Sequence, residues 1–158
     1  MQYVGLAGMA RWCIFSYNQP TPVMTDTTSK TVMLYIDDDS DDCIFLKASL
    51  EDSGSTAALV YSQDGEEAMH YLDSMDTASL PSLIVLDLNM PRWGGQETLH
   101  YLKSQPRLSK IPVVVLSTSD NETEKEACRR LGAVSYYKKP HHFNDYKGIV
   151  AGMVSAMG

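Results

Sequence analysis

The sequence predicts an α/β protein with a doubly wound, five-stranded parallel sheet and helices on both of its faces. Three observations support this fold class. The chain has 158 residues, which suits one domain with a substantial core. Short β-branched runs alternate five times with amphipathic segments. Two of the runs, SLIVLDL at 82–88 and IPVVVLS at 111–117, are almost continuously apolar, as expected for strands buried on both faces.

Strands and helices are predicted in strict alternation. The five strands are expected at 31–36, 56–62, 82–88, 111–117 and 133–137. The five helices are expected at 41–51, 65–73, 96–103, 122–131 and 143–157. Gly132 is placed to end the fourth helix, whereas Gly148 and Gly152 weaken the helical pattern of the fifth. Asp39 or Ser40 is a candidate cap for the first helix.

The predicted domain covers residues 30–158, and residues 1–29 form an N-terminal extension. Residues 18–30 have the Pro- and Thr-rich composition of a linker. Residues 1–15, MQYVGLAGMARWCIF, have no basic start, are interrupted by Arg11 and are too short to span a bilayer. The extension is therefore expected to be a flexible tail or an artefact of an upstream start, with Met24 as a candidate natural start, and no signal peptide or membrane anchor is expected.

Composition excludes several classes of protein. A formal net charge of −7, without a Lys/Arg cluster, disfavours direct binding to nucleic acid. Cys13, Cys43 and Cys128 are odd in number and widely spaced, which favours neither a disulfide framework nor a zinc site. Cys43 and Cys128 lie in helical patterns and are expected to pack in the core. A cytoplasmic location, without membrane association, is expected.

Polar side chains with chemical potential follow four of the predicted strands. They are the acidic run 37–39 after the first strand, Asp87 at the end of the third, Ser117 and Thr118 after the fourth, and Lys139 after the fifth. The carboxyl ends of parallel strands meet at one edge of a sheet, where ligands bind. Carboxylates, a hydroxyl and an ammonium group are therefore expected to converge on one cleft.

Such a cleft is suited to a divalent cation and a phosphoryl group. Crowded carboxylates repel one another unless a cation joins them, and Mg²⁺ prefers oxygen ligands and completes its shell with phosphate oxygens. With that charge balanced, Asp87 can attack phosphorus and become an aspartyl phosphate. Lys139 and the Ser117 hydroxyl would hold the transferred oxygens.

The segments MLYIDDD, IVLDLNMP, VVVLSTS and YYKKP, in this order, resemble the response-regulator receiver family over about residues 31–157. The resemblance implies a flavodoxin-like (βα)₅ fold with strand order 2-1-3-4-5. It also implies a phosphoacceptor at Asp87 and a Mg²⁺ ion bound directly by Asp38 and Asp87. Asp37 would act through a metal-bound water, and the backbone carbonyl of Asn89 would complete the metal shell.

The same resemblance implies the switching residues and the partners. Ser117 stands in the position of the hydroxyl that turns toward the phosphate, Lys139 in that of the phosphate-binding lysine, and Tyr136 in that of the rotating aromatic. A sensor histidine kinase or a phosphotransfer protein would supply the phosphoryl group to this phosphorelay, and the chain would assist its own phosphorylation and dephosphorylation. An unknown downstream protein would bind the changed surface. The chain is expected to be a monomer or weak homodimer, and no DNA-binding output domain is expected. The spacing of residues 104–119 is similar to that of stand-alone, phytochrome-associated receivers.

Two other functions remain open at this stage. One is a small phosphohydrolase of the haloacid-dehalogenase type, in which Asp37 and Asp39 would form a DxD pair. The other is a pseudo-receiver that binds a partner without being phosphorylated.

Some residues depart from the family pattern or have an ordinary structural explanation. Gly94 replaces a more usual Asp, and His141 and His142 follow the Lys-Pro pair where a Phe is common. The two histidines are expected to be surface residues rather than metal ligands. Strand alternation predicts that one of Tyr136 and Tyr137 points inward and the other outward.

Overall fold

A computed structural model describes residues 31–158 and contains one five-stranded sheet in that range. The strands are β1 Val32–Ile36, β2 Ala58–Ser62, β3 Leu83–Leu86, β4 Val113–Ser117 and β5 Ser135–Lys138. Their order is β2-β1-β3-β4-β5, and every neighbouring pair is parallel. This confirms the predicted fold class and strand order. The expectation for the N-terminal extension lies outside the described residues.

The helices lie close to their predicted positions. They are α1 Ser40–Asp52, α2 Gly65–Asp73, α3 Gly95–Ser104, α4 Glu122–Arg130 and α5 Tyr146–Ala156. The last helix begins later than predicted because a 3₁₀ turn occupies Phe143–Asp145, and another short turn, Thr77–Ser79, was not predicted. β4 is shorter than its apolar run, since Pro112 has no N–H to donate to the sheet.

Side-chain caps fix the starts of three helices near the strand ends. Asp39 accepts a hydrogen bond from the Asp41 backbone N–H at 2.9 Å, which identifies Asp39, rather than Ser40, as the cap of α1. Asp64 and Asn121 cap α2 and α4 in the same manner. Each cap sets the point at which the chain leaves its loop, and thus the position of the polar residues between strand and helix.

The sheet is covered on both faces by separate hydrophobic clusters. One cluster joins the sheet to α2, α3 and α4 through residues such as Leu72, Leu102 and Cys128. The other joins it to α1 and α5 through residues such as Cys43 and Val150. Both cysteines are buried, in line with the predicted packing role. Cys13 lies outside the described residues.

Tyr136 and Tyr137 depart from the predicted inward and outward arrangement. Both side chains are half-buried, and they pack against the two different hydrophobic clusters on opposite faces of the sheet. Alternation does place them on opposite faces, but helices cover both faces, so neither face of β5 is a solvent face.

Within residues 31–158, no helix combines the length and apolar character needed to cross a membrane.

Candidate functional site

The predicted polar residues converge at the carboxyl edge of the sheet. Asp37 and Asp87 directly follow β1 and β3, Ser117 ends β4, and Lys139 directly follows β5. All four are buried. The Nζ atom of Lys139 lies 2.6 Å from Asp37 Oδ2 and 3.6 Å from Asp87 Oδ2. The expected convergence of carboxylates and ammonium is therefore present.

Three carboxylates form a compact cluster at this edge. One oxygen each from Asp37, Asp38 and Asp87 lies within 4.8 Å of the others, and Asp38 is the exposed member. Asp87 Oδ1 is buried and has no hydrogen-bond partner among residues 31–158. A buried carboxylate oxygen without a donor is costly unless a ligand binds it. The all-oxygen set and the unpartnered Oδ1 fit a hard divalent cation such as Mg²⁺.

Electrostatics disfavour the charged form of Asp87 when no cation is bound. Burial, followed by the negative charge of Asp37, raises the pKa of Asp87 to about 6, although Lys139 partly opposes the shift. Burial also raises the pKa of Asp37, against the lowering effect of hydrogen bonds from Lys139 and Tyr35. A cation at this position would offset both the burial of the two carboxylates and their mutual repulsion.

Asp87→Asn is therefore expected to stabilise the metal-free protein. The pKa of Asp87 in the folded protein exceeds that of an ordinary Asp, so ionisation of Asp87 destabilises the fold. This destabilisation is absent at acid pH, grows as pH rises from about 4 to about 6, and is complete above that range. We expect the free energy of unfolding to rise by about 1–3 kcal/mol near pH 7.5 and by little near pH 4. Urea unfolding of Asp87→Asn and the wild type, in the presence of a chelator, measures this change in the free energy of unfolding.

Asp76→Asn is the matched control, since Asp76 is exposed and its side chain makes no capping hydrogen bond. This variant should leave the free energy of unfolding within about 0.5 kcal/mol at either pH. An Asp87→Asn protein that is less stable than the wild type at neutral pH would contradict the prediction.

Two residues that the sequence did not identify hold the centre of the site. The Tyr35 hydroxyl, from β1, donates a hydrogen bond to Asp37 Oδ2. Asp42, in the first turn of α1, lies 2.8 Å from Lys139 Nζ. Tyr35 lies in an apolar strand run and Asp42 in an acidic segment that leads into a helix, and neither pattern indicates a distant partner.

Asn89, whose backbone carbonyl is a predicted metal ligand, also contributes its side-chain amide to this edge of the sheet. Its Nδ2 donates to Ser117 Oγ and to Thr118 Oγ1, both at 3.1 Å. The Ser119 backbone N–H also donates to Ser117 Oγ at 3.3 Å. Ser117 and Thr118 are therefore tied to the loop after β3, across the mouth of the site.

Tyr136 is anchored to α4 and to the loop before it. Its hydroxyl donates to Glu124 Oε1 at 2.7 Å and lies 3.0 Å from the Ser119 carbonyl oxygen. Lys125 Nζ lies 5.9 Å from the centre of its ring. The ring thus connects β5 to the segment that carries Ser117.

A close backbone approach fixes Asp87. Gly95, at the start of α3, lies against the Asp87 carbonyl and Leu88, so that a Cβ atom at this position would stand 2.2 Å from the Asp87 carbonyl oxygen. Gly94 is the N-cap of α3 and donates its N–H to Glu97 at 3.2 Å. His141 and His142 are exposed.

The sequence profile of the response regulator receiver domain matches residues 33–151. The chain belongs to this family. This match confirms the prediction, made from the strand-end motifs, of a receiver domain of two-component systems. The strand order confirms the predicted flavodoxin-like fold.

Individual receivers are similar to it over most of their length. Response regulator Rcp1 of Synechocystis sp. is 35% identical over 127 residues, which are 78% of this chain and 86% of that protein. The structure of the phosphorylated cyanobacterial phytochrome response regulator RcpA is 36% identical, with a TM-score of 0.71 over 78% of this chain and 90% of that one. The structure of the Mn²⁺-bound form of Rcp1 is 34% identical, with a TM-score of 0.70 over 79% of this chain and 92% of that one.

Proposed function

We propose that this receiver accepts a phosphoryl group on Asp87 with the help of Mg²⁺ and signals by changing a protein-binding surface. The observation that carries the proposal is the buried, unpartnered Oδ1 of Asp87 within a carboxylate cluster, beside the Lys139 ammonium. The phosphorylated relative RcpA and the Mn²⁺-bound relative Rcp1 support the same chemistry. The donor would be a sensor histidine kinase or a phosphotransfer protein in the cytoplasm.

Asp38, Asp87 and the Asn89 carbonyl would hold the cation directly, with Asp37 acting through a water. The cation would neutralise the carboxylates and the oxygens of the transferred group. An Asp87 oxygen forms a bond to phosphorus as the phosphorus–nitrogen bond of phosphohistidine breaks, and the histidine nitrogen retains the bonding pair and takes a proton. Lys139 and the Ser117 hydroxyl donate to the phosphoryl oxygens.

Ser117 and Tyr136 are the proposed switch residues. In the proposed switch, the Ser117 hydroxyl turns away from Asn89 toward the phosphoryl group on Asp87, and this movement shifts the loop that carries Ser119. Since the Tyr136 hydroxyl contacts the Ser119 carbonyl and Glu124, the movement changes the anchoring of the ring. The surface formed by α4, β5 and α5 would then present a different contact to a downstream protein.

The haloacid-dehalogenase alternative conflicts with the surroundings of Asp37, which would have to be its nucleophile. Asp37 Oδ2 is engaged by the Tyr35 hydroxyl and by Lys139 Nζ, and Asp37 Oδ1 accepts the Asp39 N–H at 2.9 Å. Both oxygens of this fully buried carboxylate are occupied. Asp87 retains an oxygen without a donor among residues 31–158, which favours it as the acceptor.

Intact mass after incubation with acetyl phosphate and Mg²⁺ tests the proposal. The wild type is expected to gain the mass of one phosphoryl group, and the gain should disappear in Asp87→Asn and in the presence of a chelator. Asp76→Asn, an exposed carboxylate with the same change of charge, should be phosphorylated like the wild type. A wild type without an adduct would indicate a pseudo-receiver. An adduct that persists in Asp87→Asn but is lost in Asp37→Asn would favour the hydrolase.

A further inference from the structure

Lys139 is engaged by a carboxylate that the proposed chemistry does not use. Its Nζ lies 2.8 Å from Asp42 Oδ2, which is closer than its 3.6 Å distance to Asp87 Oδ2. A lysine ammonium has three N–H donors. Asp37 and Asp42 occupy two of them at hydrogen-bonding distance. The Lys139 ammonium, which is proposed to bind the phosphoryl oxygens, is therefore already held by Asp42 before any phosphoryl group is present.

Asp42 is itself held by the neighbouring helix α5. Its Oδ1 accepts a hydrogen bond from the Tyr146 hydroxyl at 3.1 Å, and Tyr146, the first residue of α5, is 1% exposed. Burial and the negative charge of Asp42 both raise the pKa of Tyr146, so the phenol stays protonated and remains a donor. The Asp42 side chain is only 21% exposed, which limits the competition from water. Asp42 thus has one oxygen on each partner.

We propose that Asp42 is a positioning residue for Lys139, which competes with a phosphoryl group on Asp87 for the ammonium and is kept in the competing position by the Tyr146 hydroxyl. The inference rests on the proposed function of Asp87. A phosphoryl group adds about −1.5 to −2 charges near a carboxylate that already claims the lysine. Both the competition and the like-charge repulsion favour the unphosphorylated state.

The test uses beryllium fluoride, an anion that mimics a phosphoryl group on a carboxylate, at saturating Mg²⁺ with the full chain. Asp42→Asn leaves a neutral and weaker acceptor for Lys139. Its affinity for the anion is expected to increase on the order of 5- to 10-fold, because hydrogen bonds to charged groups are stronger than those to neutral ones. Asp41→Asn is the matched control, since Asp41 is the exposed neighbour of Asp42 and carries the same charge. It should change the affinity by less than about 2-fold.

A second variant removes only the support from α5. Tyr146→Phe keeps every charge and deletes the hydroxyl that donates to Asp42. It is expected to strengthen anion binding in the same direction by about 2-fold or more, since one hydrogen bond to the Asp42 carboxylate is lost. Because the carboxylate is retained, this variant also carries the test should Asp42→Asn fail to fold.

A comparison with Mg²⁺ binding alone separates positioning from structural damage. Action through Lys139 predicts that anion affinity rises in both variants whereas Mg²⁺ affinity, measured without the anion, does not rise. A structural defect would weaken both. Unchanged or weaker anion binding in folded Asp42→Asn or Tyr146→Phe would overturn this inference and leave the proposed function of Asp87 untouched. A wild type that neither binds the anion nor forms an acetyl phosphate adduct would overturn the proposed function, and the inference with it.

Discussion

Lys139→Met is expected to lower the free energy of unfolding of the metal-free protein by about 3–5 kcal/mol near neutral pH. The substitution leaves Asp37, which is fully buried, and Asp87, which is 2% exposed, without their cation. Breaking a buried ion pair from one side costs more than the pair contributes, because the remaining charge stays desolvated. Lys139 is 8% exposed, so solvent provides little compensation.

The expected pH dependence has a definite sign. Hydrogen bonds from Lys139 to Asp37 and Asp42 outweigh burial and raise the pKa of Lys139, so its stabilising effect is complete at neutral pH and is lost only above about pH 10. The pKa of Asp87 is already about 6 with Lys139 present, and without it both carboxylates should protonate more readily. The loss of stability should therefore shrink as pH falls toward about 6 and should be small below it.

Lys138→Met provides the control at the adjacent position. The Lys138 side chain is half-exposed and lies 3.5 Å from an exposed carboxylate of Asp120. Such a surface pair contributes about 0–1 kcal/mol, so this variant should unfold almost like the wild type. Urea unfolding of the two variants, with and without Mg²⁺, measures the difference. Equal losses in both variants would show that Lys139 is not the counter-ion of the buried carboxylates.

Gly95→Ala is expected to damage both the stability and the site. The added Cβ would stand 2.2 Å from the Asp87 carbonyl oxygen and 2.4 Å from Leu88 Cα, both of which are backbone atoms. Backbone cannot yield as a flexible side chain does, so α3 or the loop that carries Asp87 must shift. We expect a loss of about 3 kcal/mol in the free energy of unfolding.

The change should also impair metal binding, because Asp87 belongs to the carboxylate cluster. A Mg²⁺ titration of the folded variant is expected to give an affinity at least about 10-fold weaker, as for other losses of ligand support. Gly148→Ala is the control, since Gly148 lies within α5 and a Cβ there has nothing within 4 Å in the described structure. It should stabilise the protein by about 0.5–1 kcal/mol, as Ala replaces Gly at an exposed position within a helix. Wild-type stability and Mg²⁺ affinity in Gly95→Ala would contradict the proposed contact.

The strand-end residues show how far sequence reasoning reached. Asp37, Asp87 and Lys139 follow strands whose apolar runs are readily recognised, and parallel strands bring their carboxyl ends to one edge. Convergence was therefore predictable without coordinates. The lengths of the strands were less predictable, because a turn or a proline at one end of an apolar run stops the hydrogen bonding between strands without changing the hydrophobicity of the run.

The roles of Asp42, Tyr146 and Asn89 could not be predicted in the same way. Asp42 and Tyr146 are 104 positions apart in sequence and meet only because α1 and α5 pack on the same face of the sheet. The Asn89 amide reaches Ser117 across 28 positions. Local patterns report the spacing of residues along one element and carry no information on which side chains of two distant elements will touch.

The sequence by itself determined the α/β class, the alternation of the five units and the residues that lie at the edge of the sheet, because hydrophobic period and turn chemistry are local properties of the chain. Only the tertiary structure decided how these residues divide their hydrogen bonds. It places Lys139 between Asp37 and Asp42, with the longer contact to Asp87, and leaves Asp87 Oδ1 without a donor in the described residues. Those distances depend on how helices and strands from distant parts of the chain pack together, and small differences in packing change which charge is paired and which is available to a ligand.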